Sequence, residues 1–217
     1  MRLLLAGGTG LVGREILQLV VKHGYEVTTV GRRPTGMASS EIVSGFADLP
    51  RLPPADIAIC ALGTTIRQAG SQEAFRAVDE EAVVSFARAA KAAGVDHFLI
   101  VTAVGANPEA SVFYSRVKGE AEQRLGKLGF RRLDIIRPGL LLGDRTERRP
   151  IEELLQHIAP ATDLLMRGTW RRYRSVQAAD VAQCLLRLAA SNGQGVFTHH
   201  FDDIMRVLGS PSPNVTK

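Results

Sequence analysis

Short apolar runs alternate with segments whose apolar positions recur at helical spacing, and the alternation starts with the first residues. Arg2–Ala6 is an apolar run that predicts a buried strand. Residues 14–23 place Ile16, Leu17, Val20 and Val21 on one helical face and stop at Gly24. Residues 26–30 (EVTTV) are β-branched and predict a second strand, and 41–44 a weak third. A fourth, 56–62 (DIAICAL), follows the turn-rich LPRLPPA. Asp79 is positioned to cap a helix to Ala93, with Ala82, Val83, Phe86 and Ala90 inward and Gly94 past its end. The fifth strand is 97–101 (HFLIV), followed by a helix over 114–128 that ends at Gly129. The sixth, 133–136, runs directly into Pro138 and Gly139. Beyond residue 140 the rhythm loosens: 151–158 and 178–190 read as helices and 196–199 as a last edge strand.

Repeated strand–helix–strand units with nearly continuous apolar strands predict an α/β fold. The expected form is a Rossmann-type doubly wound parallel sheet of about six or seven strands with helices on both faces. The 217 residues suit a single domain over 1–208, with about 140–208 on the substrate side and 209–217 as a flexible tail. Apolar residues at 45% and charged residues at 23% exclude a disordered or fibrous chain. Cys60 and Cys184 lie in apolar stretches and predict buried free thiols, which suits a cytoplasmic location. The apolar run at the start breaks into glycine too early for a signal-peptide core or a membrane span.

The glycine-rich segment Gly7-Gly8-Thr9-Gly10-Leu11-Val12-Gly13 sits between the first strand and the first helix. The first of the spaced glycines permits a tight turn, and the second lets backbone approach a pyrophosphate. The third lets helix and strand pack closely, and the helix N-terminus offers N–H donors and a positive dipole end. Nicotinamide dinucleotide sites usually place an acid at the end of the second strand. Here that point reads Val30-Gly31-Arg32-Arg33-Pro34. Two guanidinium groups suit the 2′-phosphate of NADP(H), so NADP(H) is expected over NAD(H). Asp48 is a candidate acceptor for the adenine amino group, and a plain turn residue is the other reading.

Tyr114 and Lys118 form a Y-x-x-x-K pair, which a helix places on one face. A phenol is a poor acid or base at neutral pH, and a neighbouring ammonium stabilises its phenolate. Tyr114 could then exchange a proton with a carbonyl or alcohol oxygen during hydride transfer. Thr102, at the end of the fifth strand, offers a hydroxyl for the same oxygen, and Ser111 is a second candidate.

These segments together resemble the atypical or extended branch of the short-chain dehydrogenase/reductase superfamily. GGTGLVG, ALGTT (Ala61–Thr65), YSRVK (Tyr114–Lys118) and RPG (Arg137–Gly139) occur in that order. RSVQAADVA (Arg174–Ala182) looks like the branch's late helix start, with Asp180 as cap. CALGTT, FYSRVKGEAE and RPGLLLGDR more narrowly resemble the Tat-interacting-protein type of oxidoreductase and its bacterial, epimerase-like relatives. The resemblance implies that Gly7, Gly10 and Gly13 hold the pyrophosphate, with Thr9, Leu11 and Val12 also cofactor-binding, and that Arg32 and Arg33 hold the 2′-phosphate. It implies that Leu62 and Gly63 line the ribose channel, that Thr64 beside them is cofactor-binding, and that Pro138 and Gly139 approach the nicotinamide. Tyr114 would be the acid/base, Lys118 its partner and Thr102 the hydroxyl. The pair Thr102-Ala103 stands where relatives commonly show two serines, so the hydroxyl must come from Thr102. The region after the sixth strand is short for a sugar-nucleotide epimerase.

The formal charge of +5 comes from the second half, where 109–217 carry 17 bases and 12 acids against 10 and 10 in 1–108. Residues 131–174 hold ten arginines and six acids, and RGTWRRYR (Arg167–Arg174) mixes arginine with Trp170 and Tyr173. Arginine beside stacking aromatics can bind nucleic acid. The interspersed acids, with Glu147, Glu152 and Glu153 as expected ion-pair partners, argue against it. The expectation is no nucleic acid, no membrane and no metal, with a small-molecule substrate that an arginine rim would favour as an anion. No exposed stripe defines a homo-oligomer interface, so oligomeric state stays open. Two readings follow: an NADP(H)-dependent oxidoreductase acting on an unidentified carbonyl or alcohol, or a non-catalytic NADP(H)-binding regulator on the same fold.

Overall fold

A computed structural model describes residues 1–143 and 168–209. Among them, seven strands form one parallel sheet in the order β3-β2-β1-β4-β5-β6-β9. They are β1 (Arg2–Ala6), β2 (Glu26–Gly31), β3 (Ser40–Val43), β4 (Ile57–Cys60), β5 (His97–Val101), β6 (Arg132–Ile136) and β9 (Gly195–His199). The short strands β7 (Leu141–Leu142) and β8 (Val176–Gln177) pair separately. The strand order reverses between β1 and β4, which opens a crevice at the carboxyl ends of both.

Successive side chains of a strand point to opposite faces, and both faces here are apolar. Leu3 and Leu5 of β1, Ile57 and Ile59 of β4, and Leu99 and Val101 of β5 share one core. That core is closed by α1 (Leu11–Lys22), α6 (Ala178–Ala189) and α7 (Phe201–Gly209). Leu4, Ala6, Ala58, Cys60, Phe98 and Ile100 enter the opposite core, under α4 (Val83–Ala92) and α5 (Phe113–Gly126). Cys60 and Cys184 are buried free thiols, and burial pushes both up to about 12.

Several expectations need correction. Asp79 caps no helix. The helix starts earlier, as α3 (Gln72–Arg76), with the Ser71 hydroxyl accepting from the Ala74 N–H at 3.1 Å. It passes through a π-helical turn, Ala77–Ala82, into α4, and Asp79 lies buried in that turn. A short helix, α2 (Ile66–Ala69), precedes it, capped by Thr65. Asp180 sits within the first turn of α6, whose cap is Gln177, so it complements the helix dipole without capping. A further helix, α7, which the sequence pattern does not announce, packs its apolar face on the first core. The expected helix at 151–158, the pairing of Glu147, Glu152 and Glu153 and the expected tail fall outside the described residues, apart from Gly209, which ends α7.

One polar cluster interrupts the first core. The fully buried Asp134 carboxylate accepts from His97 Nε2 (2.7 Å), His199 Nε2 (2.7 Å), Arg132 Nε (2.5 Å) and Arg132 Nη2 (3.0 Å). Burial alone would raise its pKa. The donors on His199, His97 and Arg132 reverse that and hold it well below the usual carboxylate range. The cluster ties β5, β6 and β9 together and fastens the edge strand β9. Replacing Asp134 by Asn should destabilise the fold by about 3 kcal/mol in urea unfolding, because the Arg132 charge stays buried without its partner. A depressed folded pKa contributes stability that is complete above the ordinary value of 3.8 and is lost as pH falls toward the folded value. The decline of stability with acid should therefore be shallower in the variant than in the wild type.

Candidate active site

The crevice between β1 and β4 is a cleft of about 910 Å³. Its floor is Gly7, Gly8, Thr9, Gly10 and Leu11. One end is Gly31, Arg32, Arg33 and Pro34, and the other is Ala61, Leu62, Gly63 and Thr64. Gly7 has φ +85°, and a Cβ there would lie 2.5 Å from the Ala61 carbonyl group. A Cβ on Gly13 would lie 2.1 Å from the Gly7 carbonyl oxygen. The chain can thus turn from β1 into α1 only with glycine at both places. Gly10 stands at the N-cap of α1 and its N–H donates to the Gly7 oxygen (2.9 Å). No side chain caps this helix and no acid occupies its first turn. Its first N–H groups and dipole therefore face the cleft, an arrangement that fits a pyrophosphate.

Val12 and Gly13 do not line the cleft: both are buried, Val12 in the first core. Arg32 and Arg33 are exposed at the cleft's far end, where a 2′-phosphate could be gripped. The loop beyond them is braced by Glu41, which accepts from the Thr35 hydroxyl, the Thr35 N–H (2.8 Å) and the Gly36 N–H (2.8 Å). Asp48 is exposed and absent from the cleft wall, and Phe46 takes that place. An apolar ring there offers a flat surface that could pack on a planar base. The sequence signal for Phe46 was an aromatic just past β3.

Lys118 is buried, and its Nζ lies 2.7 Å from Asp79 Oδ1, off hydrogen-bonding geometry, so the contact is an ion pair. Asp79 Oδ2 also accepts the Thr64 N–H (2.9 Å). A methyl group on Gly63 would stand 3.5 Å from Asp79 Oδ1 and 3.6 Å from Lys118 Nζ. Burial disfavours the ammonium, yet the Asp79 carboxylate, with a smaller contribution from Tyr114, holds the Lys118 pKa above the ordinary lysine value. Burial pulls Asp79 toward the neutral acid, and Lys118 and Thr64 oppose it. The pair's proton stays on Lys118. Tyr114 is half-buried, its ring 5.4 Å from that of Phe75 and outside the cleft wall, which Ala74, Ala77 and Val78 complete. Asp79 was missed as a site residue because a buried acid and a helix cap look alike in sequence.

Thr102 is buried, and its hydroxyl donates to Glu122 Oε1 (2.6 Å). Glu122 in turn receives Arg137 Nε (3.1 Å) and Nη2 (2.5 Å). The expectation that Thr102 donates to a substrate oxygen is not met in this arrangement, since its one proton goes to Glu122. Ser111 is exposed, and Ser115 is half-buried beside Gly105. Pro138 is buried and its oxygen accepts the Val104 N–H (2.9 Å). Gly139 packs on the backbone of Tyr173 and Arg174, where any Cβ would strike two carbonyls. Neither residue lines the cleft. Among the described residues no group of three or more His, Cys, Asp or Glu could hold a metal. None of their helices is long and apolar enough to cross a membrane.

A family described as NAD(P)H-binding matches residues 7–192. The chain is 33% identical to the rat protein HTATIP2, over 87% of this chain and 81% of that one. It is 32% identical to the mitochondrial protein FMP52 of Coccidioides immitis, over 87% and 86%. Among solved structures, the human epimerase family protein SDR39U1 (isoform 2) with NADPH matches with a TM-score of 0.66 and 22% identity, over 92% and 74%. MoeE5 in complex with UDP-glucuronic acid and NAD matches with 0.72 and 16%, over 91% and 75%.

The glycine turn predicts the effect of one substitution. Gly13→Ala forces α1 away from β1, because the added methyl meets backbone rather than a movable side chain. Affinity for NADPH in a fluorescence titration should fall about tenfold or more, with a stability loss of about 1–3 kcal/mol. Unchanged binding would show that this close approach does not shape the cleft.

Proposed function

The chain belongs to the NAD(P)H-binding family, and within it we propose an NADP(H)-dependent oxidoreductase that interconverts a carbonyl and an alcohol. One observation carries the reading: the Tyr114–Lys118 helix docks directly behind the cleft, with Lys118 Nζ a methyl's distance from the space beside Gly63. The residues present suit the dinucleotide: a glycine turn, an uncapped helix N-terminus and two exposed guanidinium groups share one cleft. NADP(H), when bound, supplies or accepts the hydride. The chain's own residues do the rest. The α1 N-terminus holds the pyrophosphate, and Arg32 and Arg33 grip the 2′-phosphate. The Lys118 ammonium stands behind the ribose channel formed by Leu62, Gly63 and Thr64. The Tyr114 hydroxyl gives a proton to the substrate oxygen in reduction and takes one in oxidation. A small-molecule substrate suits this site. The two buried thiols suit a reducing compartment such as the cytoplasm; the fungal relative is named mitochondrial.

The engagement of Thr102 with Glu122 favours a second reading, a non-catalytic NADP(H)-binding regulator, because it removes one donor from the site. Tyr114→Phe separates the two. For the enzyme, NADPH oxidation with a panel of carbonyl compounds is lost in the variant, and NADPH affinity stays within about threefold, since the hydroxyl contacts substrate and not cofactor. Turnover in the variant equal to wild type overturns the role of Tyr114. A wild-type protein that binds NADPH but reduces no carbonyl favours the regulator.

Cofactor choice is the second test. NADPH should bind about tenfold tighter than NADH by fluorescence titration, the size of one or two charge-assisted hydrogen bonds. The double variant Arg32→Ala, Arg33→Ala should lose that preference. Equal affinities in the wild type would remove the assignment of these arginines.

A further inference from the structure

A buried ammonium such as that of Lys118 needs a counterion to stay in place. Two features converge on it. The first is the π-helical turn Ala77–Ala82. Adjacent positions of a regular helix point about 100° apart, so two consecutive acids rarely face the same neighbour. The wider turn buries both Asp79 and Glu80, at 1% and 5% exposure, and both act on α5. Glu80 receives Arg124 (2.8 Å) from α5 and Arg76 from its own helix. Asp79 meets Lys118. Single π turns occur often at functional sites because they re-aim one side chain without breaking the helix. The second feature is the other oxygen of the same carboxylate, which receives the Thr64 N–H from the cleft wall. One buried acid thus joins the wall of the ribose channel to the lysine behind it.

We propose that Asp79 is the positioning residue of this site: carried inward by the π turn, it anchors the Lys118 ammonium beside Gly63 and fixes the charge that faces Tyr114 and the ribose channel. This rests on the oxidoreductase reading for its consequence, not for its geometry. The groups that face Lys118 are Asp79 from the π turn, Tyr114 from its own helix and Cys60 from the end of β4. Burial pushes the Cys60 thiol up to about 12, so it is neutral through the physiological range. Asp79 is therefore the counterion, and without it a buried ammonium is left uncompensated and loses its proton readily.

The chain has five lysines, few enough to follow one by one. In full-length protein labelled with 13C-lysine, the Lys118 signal is identified by its loss in Lys118→Arg and titrated by NMR. In Asp79→Asn its midpoint should fall by about one pH unit or more relative to wild type. In the same variant kcat for NADPH oxidation, with 9,10-phenanthrenequinone as carbonyl probe, should fall about tenfold at neutral pH and its pH profile should move. A folded Asp79→Asn protein with an unmoved Lys118 midpoint overturns the proposal. So does a loss of stability alone, with the midpoint and the pH profile both unchanged. Should Asp79→Asn not fold, the double variant Asp79→Asn, Lys118→Met removes both charges and should restore folding. Failure of the double variant would show that Asp79 acts through Thr64 instead, and would overturn the proposal. If wild-type protein leaves the quinone unreduced while the Lys118 midpoint still shifts, the oxidoreductase reading fails and the placement of Lys118 by Asp79 stands.

Discussion

The approach of α1 to β1 constrains everything around the cleft. A Cβ on Gly13 would come within 2.1 Å of the Gly7 carbonyl oxygen, and one on Gly7 would press on the Ala61 carbonyl. These contacts bring the start of α1 against the carboxyl ends of β1 and β4, where the strand order reverses. The uncapped N–H groups of the helix then point into the crevice rather than at a side chain. The sheet makes the constraint rigid. Its central strands are buried on both faces, so β1 and β4 cannot part to relieve a clash.

Three of the buried carboxylates, Asp134, Glu122 and Asp79, do different work. Asp134 accepts four hydrogen bonds and holds three strands together. Glu122 takes both the Arg137 fork and the Thr102 hydroxyl, stitching α5 to the ends of β5 and β6. Asp79 differs in facing the cleft wall and the Y-x-x-x-K lysine at once. A buried ion pair is weak evidence of stability by itself, because desolvation offsets much of the attraction. Its value here is orientation: an ammonium on a flexible stem is held to one place behind Gly63.

Much of the architecture was legible in sequence. Short apolar runs separated by helical periodicity gave the parallel sheet. The strands lie near their expected positions, including the edge strand β9 at Gly195–His199. Helix boundaries were less legible. The π turn hid the continuity of 72–92, since its acids break the apolar period that a regular helix would show. The glycine turn and Arg32–Arg33 were legible because backbone clashes and charge recognition act over a few neighbouring residues. Val12, Pro138 and Gly139 sit close to the site in sequence, yet they serve packing rather than the cleft wall.

By itself, the sequence determined the succession of the sheet's strands along the chain, the place of the tight glycine turn and the two guanidinium groups at the end of β2. Each follows from local geometry or from a side chain's own chemistry. The tertiary structure alone decided the partners. Asp79 and Lys118 are far apart in the chain and meet only because the π turn and α5 pack on the same face of the sheet. Thr102 reads as a free hydroxyl until folding brings Glu122 against it. Long-range pairing of buried charges depends on which elements become neighbours and on which way their side chains face, and no local pattern records that.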